Sequence, residues 1–266
     1  MDEAGRGCLA GPVVVAGLAW EREWAYKQPF FEHLNDSKQL SVKERELLYN
    51  QLLQSEIHAQ VVVVSPFWID SFNILKSTLL GFEKSYPLPR VVPTYIDGNH
   101  VPVSMRWARP EIGGDARIPV IMAASILAKV ARDRLMQAWA ERLPDYDFKR
   151  HKGYGTAKHL QALQTFGPSP IHRKTFRPVR EILPASWPEG RDHLMSIQDP
   201  LQAFRLYMQR YHEIPLEHDP ELLRYFIGCG LWSNASKPEF RYLPLKTHSP
   251  SGISLAFSPS TSGDSP

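Results

Sequence analysis

Cysteine is scarce in this chain. Cys8 and Cys229 stand far apart in 266 residues and form no C-x-x-C pair. That counts against a disulfide framework and against a structural zinc site built on cysteines, and places the expected protein in a reducing compartment. No run of about 18 apolar residues is present, so no membrane span is expected. The opening Met-Asp-Glu lacks the basic-then-apolar start of a signal peptide. There is no internal repeat. What remains is an ordinary globular balance, 43% hydrophobic and 22% charged, enough for one sizeable domain or one domain plus an appendage.

The net charge of +3 hides an asymmetry, with the excess of base before residue 187 and an excess of acid after it. Residues 149–180 carry Lys149, Arg150, Lys152, Lys158, Arg173, Lys174, Arg177 and Arg180 and no acid. Such a block suits a polyanion, and equally a solvated surface with no partner; charge alone leaves both open.

The periodicity is that of an α/β protein. Residues 12–20 (PVVVAGLAW) read as a buried strand. Ser41 with Glu44 has capping-box spacing and predicts a helix. Residues 57–64 and 91–96 read as strands. Pro119 suits a first helical position, with Ile121, Ile126, Val130 and Leu135 following until Pro144 stops the helix. Thr156 caps a short helix ending at Gly167. Intermixed strands and helices predict a central sheet flanked by helices.

Four acids end strand-like runs or sit at glycine-rich turns. Asp2-Glu3 precede Ala4-Gly5-Arg6-Gly7, Asp97 precedes Gly98-Asn99, and Asp115 follows Gly113-Gly114. Acids at strand ends can converge at one sheet edge, and hard oxygen ligands suit Mg²⁺ or Mn²⁺. Two such ions about 4 Å apart activate a water on a phosphodiester. Neighbouring strand residues point to opposite faces, so Asp2 and Glu3 share a site only if the strand ends there. Acids beside glycines also simply mark turns, and these residues alone do not decide.

The motifs together are more specific. DEAGRG at 2–7, AGPVV at 10–14, LNDSKQLS at 34–41, IDGN at 96–99, GDAR at 114–117, AASILAKVARDR at 123–134, HKGYGT at 151–156 and SPIHRKTFRPV at 169–179 occur in the order and spacing of one family. The chain resembles bacterial ribonuclease HII over residues 1 to about 183. The resemblance implies an RNase H-like fold, a mixed central β-sheet flanked by helices. It implies a metal-dependent endoribonuclease that cuts 5′ of ribonucleotides in RNA–DNA hybrids, and of single ribonucleotides embedded in duplex DNA. The products would carry a 3′-hydroxyl and a 5′-phosphate. By position, Asp2, Glu3, Asp97 and Asp115 match the catalytic acids, the first three as metal ligands of a two-metal site holding Mg²⁺ or Mn²⁺ with substrate bound.

The resemblance also implies substrate contacts. The Gly5-Arg6-Gly7 backbone approaches the 2′-hydroxyl, the only local mark of RNA. Lys38 matches a phosphate contact, and Tyr154 matches the tyrosine that packs on the sugar at the RNA–DNA junction. Ser125 and Lys129 lie four apart on one helix face. Arg132 extends that face, or lies on a solvated helix edge. His172 is expected to be structural rather than a proton carrier, and Asp133 to pair with a neighbouring arginine rather than bind metal. The basic block is expected to hold the duplex.

Departures from the family pattern are equally specific. Cys8 stands where the family usually has proline. Only Met1 precedes Asp2, so a shortened first strand is expected, with unpaired backbone and a free amino group beside the acids; a truncated or wrongly started chain would look this way. The domain expectation is 1–183 catalytic, 187–246 a helical extension and 247–266 a disordered tail. Within the extension, Gln198, Leu201 and Phe204 loosely resemble a weak sliding-clamp-binding peptide, with an amphipathic helix as the preferred reading. A monomer in the cytoplasm, with no membrane, is expected. The rivals are a hybrid-binding protein that no longer cuts and an HIII-type RNase H.

Overall fold

The computed structural model describes residues 1–88 and 91–183, and the backbone of residues 228–233 and 241–244. The chain opens with β1 (Asp2–Ala4) and β2 (Val13–Ala19), then the single turn α1 (Arg22–Ala25). Next come α2 (Val42–Gln54), β3 (His58–Val64), α3 (Pro66–Phe72) and α4 (Ile74–Ser85). The short strands β4 (Tyr95–Asp97) and β5 (Arg109–Glu111) follow, then the long α5 (Pro119–Arg142). The described chain continues with α6 (Phe148–His151), α7 (Ala157–Phe166), α8 (Arg177–Arg180), β6 (Gly228–Ser233) and β7 (Arg241–Pro244).

Local signals account for most of these boundaries. Ser41 and Glu44 form both bonds of the capping box on α2. The Thr156 hydroxyl accepts the His159 N–H at the start of α7, and Gly167 ends it. Pro119 starts α5, which runs 24 residues. β4 begins at Tyr95 rather than at residue 91, because Pro93 has no N–H to offer a ladder.

Five strands pair antiparallel in the order β1-β2-β3-β6-β7, and β4 pairs parallel with β5. The two groups meet at Met1. Its nitrogen donates to the Tyr95 carbonyl at 2.8 Å and its carbonyl accepts the Asp97 N–H at 3.0 Å. Those two bonds flank Ile96 as in a parallel pair. The sheet is thus mixed, as expected.

The register puts Asp2 beside Ala16 and Glu3 beside Val15. Asp2 therefore faces α5, whose Ser125 hydroxyl bonds it. Val15 faces α4, where a side chain at Gly81 would strike it at 2.5 Å. Helices cover both faces of the sheet. The main core lies on the α5 side, built on Val13, Val14 and Ala16 of β2, Val61–Val64 of β3 and apolar residues from Ala123 to Ala131 of α5. Val15 with Phe82 and Ile96 forms a smaller cluster on the other face.

The extension expected to be helical needs correction. Its described residues are strands, and β6 joins the same sheet through β3, with Val62 opposite Leu231. Alternating apolar residues in Gly228–Ser233 suit a strand, and no helical period runs through them. The amphipathic helix expected around Gln198, Leu201 and Phe204, and the tail at 247–266, lie outside the described residues.

Candidate active site

Three acids come from two strand ends. Asp2 is 4% exposed on β1; its carboxylate accepts the Glu3 N–H at 2.6 Å and bonds Ser125. Burial first, then the Glu3 and Asp97 charges, push Asp2 well above the ordinary carboxylate range. Glu3 is raised too, chiefly by burial, with Arg6 at 3.3 Å opposing. Asp97 ends β4, and its Oδ1 accepts the N–H groups of Gly114 (2.7 Å) and Asp115 (3.3 Å). Asp115 follows in a single 3₁₀ turn (Gly114–Ala116), buried, with Lys38 Nζ at 2.7 Å.

Strand alternation does separate Asp2 from Glu3, yet β1 stops at Ala4 and Gly5 turns at φ +95°. Both carboxylates still feel the charge of Asp97. Among the described residues no three acidic, histidine or cysteine side chains close around one point as a ligand shell. Each acid has instead turned to a local donor: Glu3 N–H, Arg6, Gly114 N–H or Lys38. The donor set fits a divalent cation, because mutually repelling hard oxygens sit together with too few fixed cations.

The glycine loop lies beside these acids. Gly5 is buried against Arg132; a Cβ there would lie 2.0 Å from Nε. Arg6 and Gly7 face outward, and a Cβ at Gly7 would meet nothing within 4 Å. Of the triplet, then, Gly7 rather than Gly5 leaves open space for an approaching backbone. Arg173 holds the loop from behind, donating to the carbonyls of Gly5 (2.7 Å), Arg6 (2.8 Å) and Gly11 (2.9 Å).

Tyr154 is 43% exposed, with Lys129 Nζ 5.7 Å and Arg132 Cζ 5.9 Å from its ring centre. Its hydroxyl bonds the buried Cys8 thiol, and burial raises its pKa. Glycine loop, Arg132 and tyrosine are therefore adjacent. Ser125 also bonds Ser37 at 2.9 Å, which ties the Asp-Ser-Lys segment to α5.

Several sequence readings need correction. Arg132 is neither a substrate-facing nor a solvated residue: it is fully buried and donates to the carbonyls of Pro12, Lys152 and Ala10. Asp133 pairs with Lys129 at 2.8 Å, not with an arginine. The basic block is not wholly a surface, since Arg173 and Lys174 are buried. Lys174 Nζ donates to the Ser169 and Pro170 carbonyls, and Asp70 accepts its backbone N–H. Ser37 and His159 were missed, although Ser37 sits between Asp36 and Lys38 in a recognised motif. His159 gave no signal, because one histidine on a short helix has no pattern.

The sequence profile of the family described as ribonuclease HII matches residues 1–179. Ribonuclease HII of Xanthomonas campestris is 46% identical over 186 residues, covering 69% of this chain and 76% of that protein. The Endomicrobium trichonymphae enzyme is 44% identical over 186 residues, covering 69% and 86%. Among solved structures, ribonuclease H2 of Pyrococcus horikoshii superposes with a TM-score of 0.52 at 25% identity, covering 68% of this chain and 94% of that one. The ribonuclease HII of Archaeoglobus fulgidus, solved in complex with PCNA, gives 0.52 at 26% identity, covering 66% and 93%. A Bst-RNase HIII solved with Mn²⁺ gives 0.54 at 16% identity, covering 68% and 67%, a likeness of fold alone.

Proposed function

The chain belongs to the ribonuclease HII family, a metal-dependent ribonuclease H, and we propose how its residues divide that work. Asp2, Glu3, Asp97 and Asp115 are the catalytic acids, with Asp2, Glu3 and Asp97 as metal ligands. The observation that carries this is the joining of β4 to β1 at Met1, which sets Asp97 beside Asp2 and Glu3 at one sheet edge. Bound Mg²⁺ or Mn²⁺ supplies charge stabilisation for the phosphodiester and a more acidic water.

The chain's own side chains do the rest. Ser125 and the Glu3 N–H orient the Asp2 carboxylate, and the Gly114 N–H orients Asp97. Lys38 leaves Asp115 for a substrate phosphate, which frees that acid. The Gly5-Arg6-Gly7 loop reads the 2′-hydroxyl through its backbone, Arg6 and Gly7 presenting the open face and Gly5 making the turn behind it, held by Arg173. Tyr154 packs on the sugar that follows the ribonucleotide, and Lys129 adds positive charge beside it.

The substrates are RNA–DNA hybrids and duplex DNA with single embedded ribonucleotides. Residues 1–183 carry the activity in a monomer acting in the cytoplasm. A weak sliding-clamp contact is assigned to residues 198–204, which lie outside the described residues; the Archaeoglobus relative's complex with PCNA supports it.

The test uses a DNA duplex with one ribonucleotide, Mg²⁺ or Mn²⁺, and the protein beside Asp97→Asn. The expected outcome is a cut directly 5′ of the ribonucleotide, leaving 3′-hydroxyl and 5′-phosphate ends, and absent in the variant. A cut on the 3′ side, or an equally active variant, would overturn the assignment.

A further inference from the structure

Three histidines lie inside the segment that carries Tyr154. His159 and His172 are fully buried and His151 is 8% exposed. The His151 and His159 rings stack with centres 4.3 Å apart, and Tyr146 and Phe148 pack around the group. Each of the six ring nitrogens has a hydrogen-bond partner, so none is left for a metal ion.

The partners fix where the protons sit. Ser169 presents His172 Nδ1 with its backbone N–H at 2.9 Å and its hydroxyl at 2.7 Å. A backbone N–H can only donate, so Nδ1 accepts and the His172 proton is on Nε2. At the other end, His159 Nδ1 lies 2.9 Å from the Tyr154 carbonyl oxygen. A carbonyl can only accept, so the His159 proton is on Nδ1 and its Nε2 is bare. The two Nε2 atoms are 2.9 Å apart, and they are therefore a donor and an acceptor. The bonds run one way, from Ser169 through His172 and His159 to the carbonyl of Tyr154.

That carbonyl follows an unusual stretch of backbone. Lys152 (φ 52°) and Gly153 (φ 86°) both have positive φ; glycine takes this freely, but at Lys152 it persists only where the surroundings hold it. His151 Nδ1 accepts the Gly153 N–H at 3.2 Å, and Arg132 donates to the Lys152 carbonyl at 2.8 Å. His151 thus holds the main chain within the turn and His159 holds it just after, next to the exposed ring of Tyr154.

We propose that His172 and His159 are positioning residues for the reaction: their one-way hydrogen-bond relay fixes the main chain at Tyr154 and so sets the ring against the sugar at the RNA–DNA junction. This rests on the reading of Tyr154 given above. His159→Leu keeps the bulk but leaves the Tyr154 carbonyl without its donor and His172 without its acceptor. His159→Asn places an amide N–H near the Nδ1 position and keeps the donor. Misplacing a substrate-contacting group costs turnover more than affinity.

The experiment has two arms. In the first, His159→Leu, His159→Asn and Tyr154→Ala are compared on a DNA duplex with one ribonucleotide and on a long RNA–DNA hybrid. His159→Leu is expected to lose about ten-fold in kcat on the first substrate and under about two-fold on the second. His159→Asn should recover most of that. Equal losses of His159→Leu on both substrates where Tyr154→Ala discriminates between them, or no recovery by asparagine, would overturn the proposal.

The second arm reads the ring ¹⁵N shifts of the unaltered protein, expected to show Nδ1–H at His159 and Nε2–H at His172. The same tautomer at both rings would also overturn it. If Tyr154→Ala loses both substrates equally, the junction reading of Tyr154 is what fails. Opposite tautomers, with a shift of the Tyr154 carbonyl ¹³C signal in His159→Asn relative to the unaltered protein, would still establish the positioning. Should His159→Leu not fold, the asparagine variant and the tautomers decide.

Discussion

Two buried polar regions adjoin the loop of residues 5–12, and they are satisfied to different degrees. At the acid cluster, Asp2 and Glu3 are both pushed upward by burial, and Asp97 adds to each. Charge there exceeds what Arg6 and Lys38 neutralise. On the other side of the loop, Arg132, Arg173 and the histidines match donor to acceptor across eight backbone carbonyls. Electrostatic need left open at one region marks where a ligand belongs; need met within the chain marks a support. Substitutions should therefore act in opposite ways on the two sides.

The largest effect is expected at the acid cluster. Asp97→Asn keeps an oxygen for the Gly114 N–H but removes the charge. It should lower kcat by about a thousand-fold, or about 4 kcal/mol, with duplex binding largely kept and thermal stability no lower. A variant that cuts normally would remove Asp97 from the metal site. A variant that melts earlier would show the cluster to be a structural element like its neighbour.

Arg173→Met should do the reverse. Three carbonyls lose their donor, each costing about 1–3 kcal/mol if unmatched, and water reaching the outermost lowers the total. A loss of about 3 kcal/mol corresponds to a Tm lower by about 6–12 °C. Activity per folded molecule should fall far less than in Asp97→Asn. An unchanged Tm would show that the loop does not depend on this clamp.

A third measurement sharpens the contrast through the ligand. Mg²⁺ added to metal-free protein at about ten times its dissociation constant should add about 1.4 kcal/mol, a rise in Tm of a few degrees. Asp97→Asn should show little of that rise, and Arg173→Met should show all of it. An equal rise in both variants would place the ion elsewhere.

The same contrast explains what the sequence disclosed. Local rules placed the capping box at Ser41, the proline start of α5 and the Thr156 cap, because each depends on residues within one turn. Acids at strand ends were visible as pattern. Their convergence was not, since the β1–β4 junction joins residues 94 apart. Arg132 and Arg173 were misread because their partners are backbone carbonyls, which leave no trace in residue types. His159 was invisible for the same reason. The strand at Gly228–Ser233 escaped because pairing with β3 is a long-range contact.

The smallest effect belongs to the histidines, and its sign is set by linkage. Burial holds His159 down to about 4, below the ordinary value of 6.5. The unfolded chain therefore binds the proton more readily than the folded one. Stability from this group is complete above about pH 6.5 and declines as pH falls toward 4. Between pH 7 and 5 the loss is about 1 kcal/mol, given that the full value of a shift is shared among stacked rings. The raised acids pull the other way, because their protonation favours the folded form as pH falls. A single melting curve against pH would blur the two. The difference between the protein and His159→Asn isolates the histidine: the variant should lose less on going from pH 7 to 5, by about 2–4 °C in Tm. Parallel melting profiles in the two proteins would mean that His159 binds its proton equally well folded and unfolded, so that its Nε2 is not committed to accepting from His172 and the histidine side of the comparison is no better matched than the acid side.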